Sequence, residues 1–189
     1  HRYDVTILIN GFPLVQIELK RTGSDLKQAF NQVNRYKKNS YKNLFKFIQI
    51  FIISNGIQTK YFSTNEIEEK KSKYEFAFNW MNSNNNIIGN LIWDGKNYES
   101  FTDLFLNKNM IIKLISKYMI VQKIDPEIKI LRSYQIHAIE KVVDKVKNNS
   151  GNGYIWHTTG SGKTLTSFKA AEIIKDTLQE SEQVFFVVD

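Results

Sequence analysis

Residues 3 to 20 alternate between apolar and polar side chains: Val5, Ile7, Ile9 and then Val15, Ile17, Leu19 point one way, while Asp4, Thr6, Leu8 and Gln16, Glu18, Lys20 point the other. Two such runs separated by Asn10-Gly11 define an antiparallel hairpin. Side chains directly opposite each other in that pairing share a face, so uniting both odd-numbered sets requires odd residues to oppose odd residues. A two-residue turn would pair Ile9 with Phe12 and break that parity. The alternation therefore predicts a three-residue loop with Gly11 left-handed in a bulge.

The rest of the chain reads around this hairpin. Ser24 or Asp25 can cap a helix running to about Lys38, with Leu26, Ala29, Phe30 and Val33 as its apolar stripe. Phe47 to Ser54 is a continuous apolar strand, buried on both faces, and Asn55-Gly56 turns it into a partner strand over Thr59 to Ser63. Strand, strand, helix, strand, strand predicts an α/β layer, a mixed sheet flanked by helices. Residues 64 to 98 are polar and Asn-rich around Asn82 to Asn86, which predicts loops and short irregular elements. Helices are expected over Ser100 to Leu106 and Lys108 to Val121, with Asp125-Pro126 as a break. A domain boundary is placed there, giving domains 1–122 and 123–189.

Beyond the break, Ile136, Ile139, Val142, Val143 and Val146 mark a helix over Ser133 to Lys147. A loop over 148–153, a short strand from Gly153 to His157, a helix from near Gly162 and a buried strand from Val184 to Val188 follow. Two parallel strands do not complete a nucleotide-binding sheet, so the sequence is expected to be a fragment of a longer protein.

Composition narrows the classes of function. The 189 residues include no cysteine, which excludes disulfides, thiolate nucleophiles and Cys-type zinc sites. There is no run of 18 apolar residues and no basic-then-apolar leader, so a cytoplasmic location with no membrane partner is expected. The net charge of +7 is local: Lys20, Arg21, Lys27, Arg35, Lys37, Lys38, Lys42 and Lys46 face only Asp25 between positions 20 and 46, and the remainder balances. Interleaved with Phe30, Tyr36, Tyr41, Phe45 and Phe47, that stretch suits a phosphate-backbone surface, and equally a solvated helix face.

Glu18 and Lys20 project from one face of their strand, with Leu19 opposite, and the parity argument sets Asp4 on that face of the neighbouring strand. Two carboxylates beside an ammonium form a hard-oxygen site suited to Mg2+ and to phosphodiester hydrolysis, or else an exposed cross-strand salt bridge. On the following helix Gln32 and Tyr36 stand one turn apart, next to Arg35 and Lys38. The ordered set, Asp4, then Glu18-Leu19-Lys20, then Gln32-x-x-x-Tyr36, resembles the PD-(D/E)xK nuclease domain in its RecB-like form, although Val5 follows Asp4 and no Pro-Asp pair is present. The resemblance implies metal ligation by Asp4, Glu18 and the Leu19 carbonyl, catalytic assistance from Lys20, and DNA contact or support from Gln32, Tyr36, Arg35 and Lys38.

A second set lies downstream. His157-Thr158-Thr159-Gly160-Ser161-Gly162-Lys163-Thr164 has the Gly-Lys-Thr ending of a phosphate loop between a strand and a helix, with His157 where the general pattern has its first glycine. Backbone N–H groups there would cradle the β-phosphate, Lys163 would reach the β- and γ-phosphates, and the Thr164 hydroxyl would ligate Mg2+. The core Thr159-Gly160-Ser161-Gly162-Lys163-Thr164 is similar to that of superfamily 2 helicases, whose first motor domain is a RecA-like parallel α/β fold. Leu131-Arg132-Ser133-Tyr134-Gln135 resembles the adenine-recognising glutamine element of that superfamily, which would make Gln135 an ATP contact; a surface glutamine reads the same way.

A nuclease site followed in one chain by such a loop resembles the restriction (R, motor) subunit of type I restriction-modification systems. Tyr3-Asp4-Val5-Thr6, Pro13 to Lys20, Ala29 to Gln32, Ser54-Asn55-Gly56 and Tyr154 to Thr164 carry that likeness. It implies a Mg2+-dependent endonuclease on double-stranded DNA, ATP-driven translocation, and modification and specificity subunits as partners. A repair nuclease with a helicase-like module and a non-catalytic DNA-binding module are the alternatives.

Overall fold

The computed structural model describes residues 4–63, 73–93, 95, 99–122, 127–177, 183–185 and 187. The chain divides into two compact units, His1–Leu131 and Arg132–Asp189.

In the first unit, β1 (Val5–Ile9) and β2 (Phe12–Leu19) form the expected hairpin, but Ile9 does pair with Phe12. The three-residue loop is therefore overturned. Asn10 and Gly11 both adopt positive φ, 51° and 83°, the two-residue turn whose twist matches a hairpin. Parity is repaired inside the strand: Leu8 opposes Pro13 and Ile7 opposes Val15, so Leu14 is an extra, bulged residue. Pro13, with no N–H to give the ladder, sits beside that irregularity. Below the bulge Val5 opposes Ile17, the odd-with-odd pairing that the alternation requires.

Asp25 caps α1 (Leu26–Asn39), its side chain accepting from the Lys27 N–H at 2.8 Å. This helix carries the chain from β2 to β3 (Ile50–Ser54), which lies parallel to β2; β4 (Thr59–Ser63) returns antiparallel, giving a mixed sheet in the order β1-β2-β3-β4. The strand expected from Phe47 begins at Ile50, because Asn43–Phe47 closes into a 3-10 turn. All five residues of β3 are buried. Phe51 and Ile53 join Phe62 against Leu26, Ala29, Phe30 and Val33 of α1, contacts worth about 2 kcal/mol for each large side chain buried. Tyr61 instead packs edge-on to Trp80 and tilted against Phe105, and its hydroxyl donates to the Leu131 carbonyl at 3.1 Å.

The polar face of β2 is covered as well. Gln16 is fully buried, its Oε1 accepting from the Thr6 hydroxyl at 2.6 Å, while Val5 and Leu19 of the apolar face are exposed. β1 is an edge strand, so its side chains have neighbours on one flank only.

The irregular segment holds a small hairpin, β5 (Trp80–Met81) with β6 (Ile87–Ile88), that its asparagines hide; residues 64–72, 94 and 96–98 lie outside the described residues. α2 (Phe101–Leu104) starts with a capping box between Ser100 and Asp103, and α3 (Lys108–Ser116) follows. The helix expected to reach Val121 stops at Ser116, and Met119–Gln122 is β7, antiparallel to β8 (Glu127–Ile130). The β-branched Ile120-Val121 pair suits a strand, and the ladder buries Met119 and Ile130. The Asp125-Pro126 break lies outside the described residues.

The second unit packs α4 (Ser133–Lys147) against α5 (Lys163–Thr177) through Ile136, Ile139 and Val143 on one helix and Ala170, Ile173 and Ile174 on the other. The strand expected over Gly153 to His157 is not formed, and 183–185 and 187 are equally irregular; residues 186 and 188 lie outside the described residues. A parallel strand exists only through neighbours on the sheet, and among the described residues of this unit there is none, so Tyr154 and Trp156 stand 90% and 88% exposed. No helix among the described residues is long and apolar enough to cross a membrane.

Candidate functional site

The corrected register decides what meets in the first unit. With Val5 opposite Ile17, the chain leading into β1 brings Asp4 to the end of β2, where its Oδ2 accepts from the Leu19 N–H at 2.7 Å. Glu18, only 1% exposed, points to the neighbouring position, and Lys20 Nζ lies 2.7 Å from its Oε1. The same ammonium donates to Gln32 Oε1 at 2.8 Å, and Gln32 Nε2 donates to the Tyr36 hydroxyl at 2.8 Å. Helix spacing on α1 and strand spacing on β2 thus deliver one hydrogen-bonded chain, Glu18–Lys20–Gln32–Tyr36, with Asp4 at its head. Arg35 and Lys38 are exposed on α1, and Arg35 is near enough to favour the Glu18 charge.

Glu18 is the strained member. Burial pushes its carboxyl above the usual range, the Asp4 charge adds to that, and Lys20 and Arg35 oppose it. Its Oε2 is buried with no hydrogen-bond partner among the described residues. A buried acceptor in that state carries a desolvation cost that a cation would relieve. No group of three His, Cys, Asp or Glu side chains able to hold a metal exists among the described residues, so any ion there needs more than carboxylates. The Asp4 and Glu18 oxygens together with the backbone carbonyl of Leu19 are hard donors of the kind Mg2+ takes.

The loop behind this site is also tied in place. Asn55 donates through Nδ2 to the Ser24 carbonyl at 2.9 Å and accepts at Oδ1 from Gln58 N–H at 2.8 Å, while Lys20 N–H donates to the Ser54 carbonyl at 2.8 Å. Sequence reasoning gave Asn55 a turn and a place in the restriction-subunit likeness, but none of these contacts; in the structure it is buried beside Gly56.

In the second unit Gly160 and Gly162 adopt φ of 74° and 83°, shaping the turn that leads into α5. Lys163 and Thr164 are exposed on the first turn of that helix. Ser161 Oγ donates to the Thr158 carbonyl at 2.7 Å, closing the turn. Gln135 is buried, its Oε1 accepting from the Arg132 N–H at 2.9 Å and its Nε2 donating to the Ser161 carbonyl at 3.2 Å. Tyr134, passed over as a neighbour of the glutamine, donates from its hydroxyl to that same carbonyl at 2.8 Å.

Comparison with known proteins matches each end of the chain to a family. Residues 1–70 match the family described as Type I restriction enzyme R protein N terminus, and residues 128–189 match Type III restriction enzyme, res subunit. Both matches are to families of restriction-enzyme polypeptides. Across its full length it is 51% identical to the Type I restriction enzyme SsaAORF53P endonuclease subunit of Staphylococcus saprophyticus and 48% identical to the SauCOLORF180P endonuclease subunit of Staphylococcus aureus, covering 19% of each. Over 79% of the chain it is 40% identical to the EcoprrI endonuclease subunit of Escherichia coli, covering 46% of that protein. Similarity to these endonuclease subunits over its full length supports a fragment of a type I restriction R subunit, and the chain spans about a fifth of the length of the first two relatives.

Proposed function

We propose that this chain carries the DNA-cleaving centre of a type I restriction R subunit, together with the start of its ATP-driven motor. The single observation behind the nuclease reading is the linked set Asp4, Glu18, Lys20, Gln32 and Tyr36, with a buried, unpartnered Glu18 oxygen. In this reading residues 1–122 form a restriction-endonuclease-like domain and residues from 123 begin a RecA-like domain.

Asp4, Glu18 and the Leu19 carbonyl would hold Mg2+, which supplies electrostatic stabilisation of charge on the scissile phosphate. Lys20 has three donors, two of them committed to Glu18 and Gln32, which leaves one for a phosphate oxygen or the attacking water. Gln32 fixes where that ammonium sits, and Tyr36 fixes Gln32. Arg35 and Lys38 would meet the backbone of double-stranded DNA. In the motor, Thr159 to Thr164 would cradle the phosphates of ATP with Thr164 on Mg2+, and Gln135 would line the same site. Modification and specificity subunits are the implied partners, and the cytoplasm the implied location.

The reading is tested in the full-length R subunit, assembled with its partner subunits. Glu18→Ala and Lys20→Ala should each abolish DNA cleavage with ATP hydrolysis retained, and Lys163→Ala should abolish both. Loss of ATP hydrolysis in the Lys20 variant would contradict two separate centres.

A further inference from the structure

We propose that Tyr134 is a positioning residue of the phosphate loop: its hydroxyl fixes the Ser161–Gly162 peptide so that the Gly162 N–H is presented to the phosphate site. This rests on the reading of Thr159 to Thr164 as a nucleotide cradle.

The Ser161 carbonyl receives two donors from α4, the Tyr134 hydroxyl at 2.8 Å and Gln135 Nε2 at 3.2 Å. A trans peptide is planar, so its N–H points opposite to its carbonyl. Holding the Ser161 oxygen toward α4 therefore turns the Gly162 N–H away from α4, as a donor at the start of α5 where anions are favoured. Rotating that peptide would break both bonds and turn a carbonyl oxygen toward the phosphates. Gly162 is what lets Gln135 come this close: at φ of 83° it is left-handed, and a Cβ there would fall 2.5 Å from Gln135 Nε2.

Tyr134 is itself held. Arg132 Nη1 donates to its hydroxyl at 3.2 Å, which strengthens the hydroxyl as a donor to the loop. Its ring stands edge-on to His157, centroids 5.9 Å apart, so one side chain touches both the first residue of the loop and its fifth. The packing of α4 on α5 is carried by Ile136, Ile139 and Val143 against Ala170, Ile173 and Ile174, none of which needs the phenol oxygen. Removing that oxygen alone leaves the helix contact and takes the shorter of the two bonds from the peptide, with only Gln135 Nε2 left to hold it.

The test is Tyr134→Phe in the full-length R subunit, with Mg2+-ADP and Mg2+-GDP titrated by competition against a fluorescent ADP. Both dissociation constants should rise by one common factor, about five- to tenfold, the loss of one hydrogen bond. The nucleotide-free protein should melt within about one degree of the parent. Unchanged ADP affinity overturns the proposal. So does a loss confined to ADP, which assigns Tyr134 to the base, or a melt several degrees lower, which makes it a packing residue. Lys163→Ala separates the layers of the argument: retained ADP affinity there removes the phosphate-loop reading and the proposal with it, whereas loss there beside an unaffected Tyr134→Phe removes only the proposal.

Discussion

Asp4 and Glu18 are fourteen positions apart and meet only through strand register, whereas Thr159 to Thr164 are neighbours in the chain and need no register at all. The two sites differ in burial to match. Glu18 is enclosed, its charge opposed by burial and held by Lys20, while Lys163 and Thr164 stand exposed at a helix start. A site drawn together across a sheet inherits the precision of the sheet and also its fragility. A contiguous loop keeps its residues together even where its flanking segment, 153–157, forms no strand.

That difference can be broken by moving the register without touching a single candidate residue. One glycine inserted between Val15 and Gln16 keeps Asp4, Glu18 and Lys20 in the chain but turns the latter two to the opposite face of β2. Cleavage by the full-length subunit should fall by at least about a hundredfold, since a misplaced reacting group alone costs that much. One glycine inserted between Asn149 and Ser150, in the exposed turn after α4, should leave ADP affinity within about twofold. Plasmid cleavage and nucleotide titration on both variants read the contrast, and retained ADP binding in the first shows that it folds. Equal sensitivity at the two places would erase the distinction.

The same contrast explains what was legible in the sequence. α1 was readable end to end because a cap at Asp25 and the stripe Leu26, Ala29, Phe30, Val33 are local signals. The pairing of Asp4 with Glu18 was reachable from parity, although by a wrong route: the alternation requires odd opposite odd, but it does not say whether the turn or a bulge supplies the extra residue. Leu14 does so here, beside a proline. The strand at Met119–Gln122 was missed because an apolar run after a helix continues a helical pattern as readily as it starts a strand. The Tyr134 contact was not legible at all, since a tyrosine next to a glutamine carries no signal of a carbonyl 27 residues on.

Within the first site, effects should decay along the hydrogen-bonded chain. Gln32 touches Lys20 directly, so Gln32→Ala should slow cleavage by about ten- to a hundredfold, the range for a lost hydrogen bond to a charged group. Tyr36 acts one bond further away, and Tyr36→Phe should cost only about two- to fivefold. Single-turnover cleavage rates decide it; the reverse order would place the tyrosine, and not the glutamine, next to the chemistry.

The basic surface of α1 sharpens the comparison further, because its charges are not equivalent. Arg35 and Lys38 are exposed, while Lys37 is partly buried with its Nζ 5.3 Å from the centre of the Phe51 ring. Replacing Arg35 and Lys38 together by Gln should weaken duplex binding and reduce the salt slope, by at most about 2 for two phosphate contacts. Lys37→Gln should leave that slope unchanged within error.

The smallest expected effect belongs to Lys37 and appears in stability alone. Burial lowers its ammonium from 10.5 to about 8, so the folded chain releases this proton before the unfolded chain does. The linked stability is therefore complete above 10.5 and is lost as pH falls through about 8, making the native state gain over that window as pH rises. The aromatic ring beneath the charge offsets part of the cost at neutral pH. Comparing melting temperatures of the parent and Lys37→Met between pH 7.5 and 9.5 isolates this one group, because all other titrations are common to both. The parent should gain about 2 °C on the variant across that range. A constant difference would show that Lys37 stays solvated, as Arg35 and Lys38 are, and would add it to the set proposed to meet DNA.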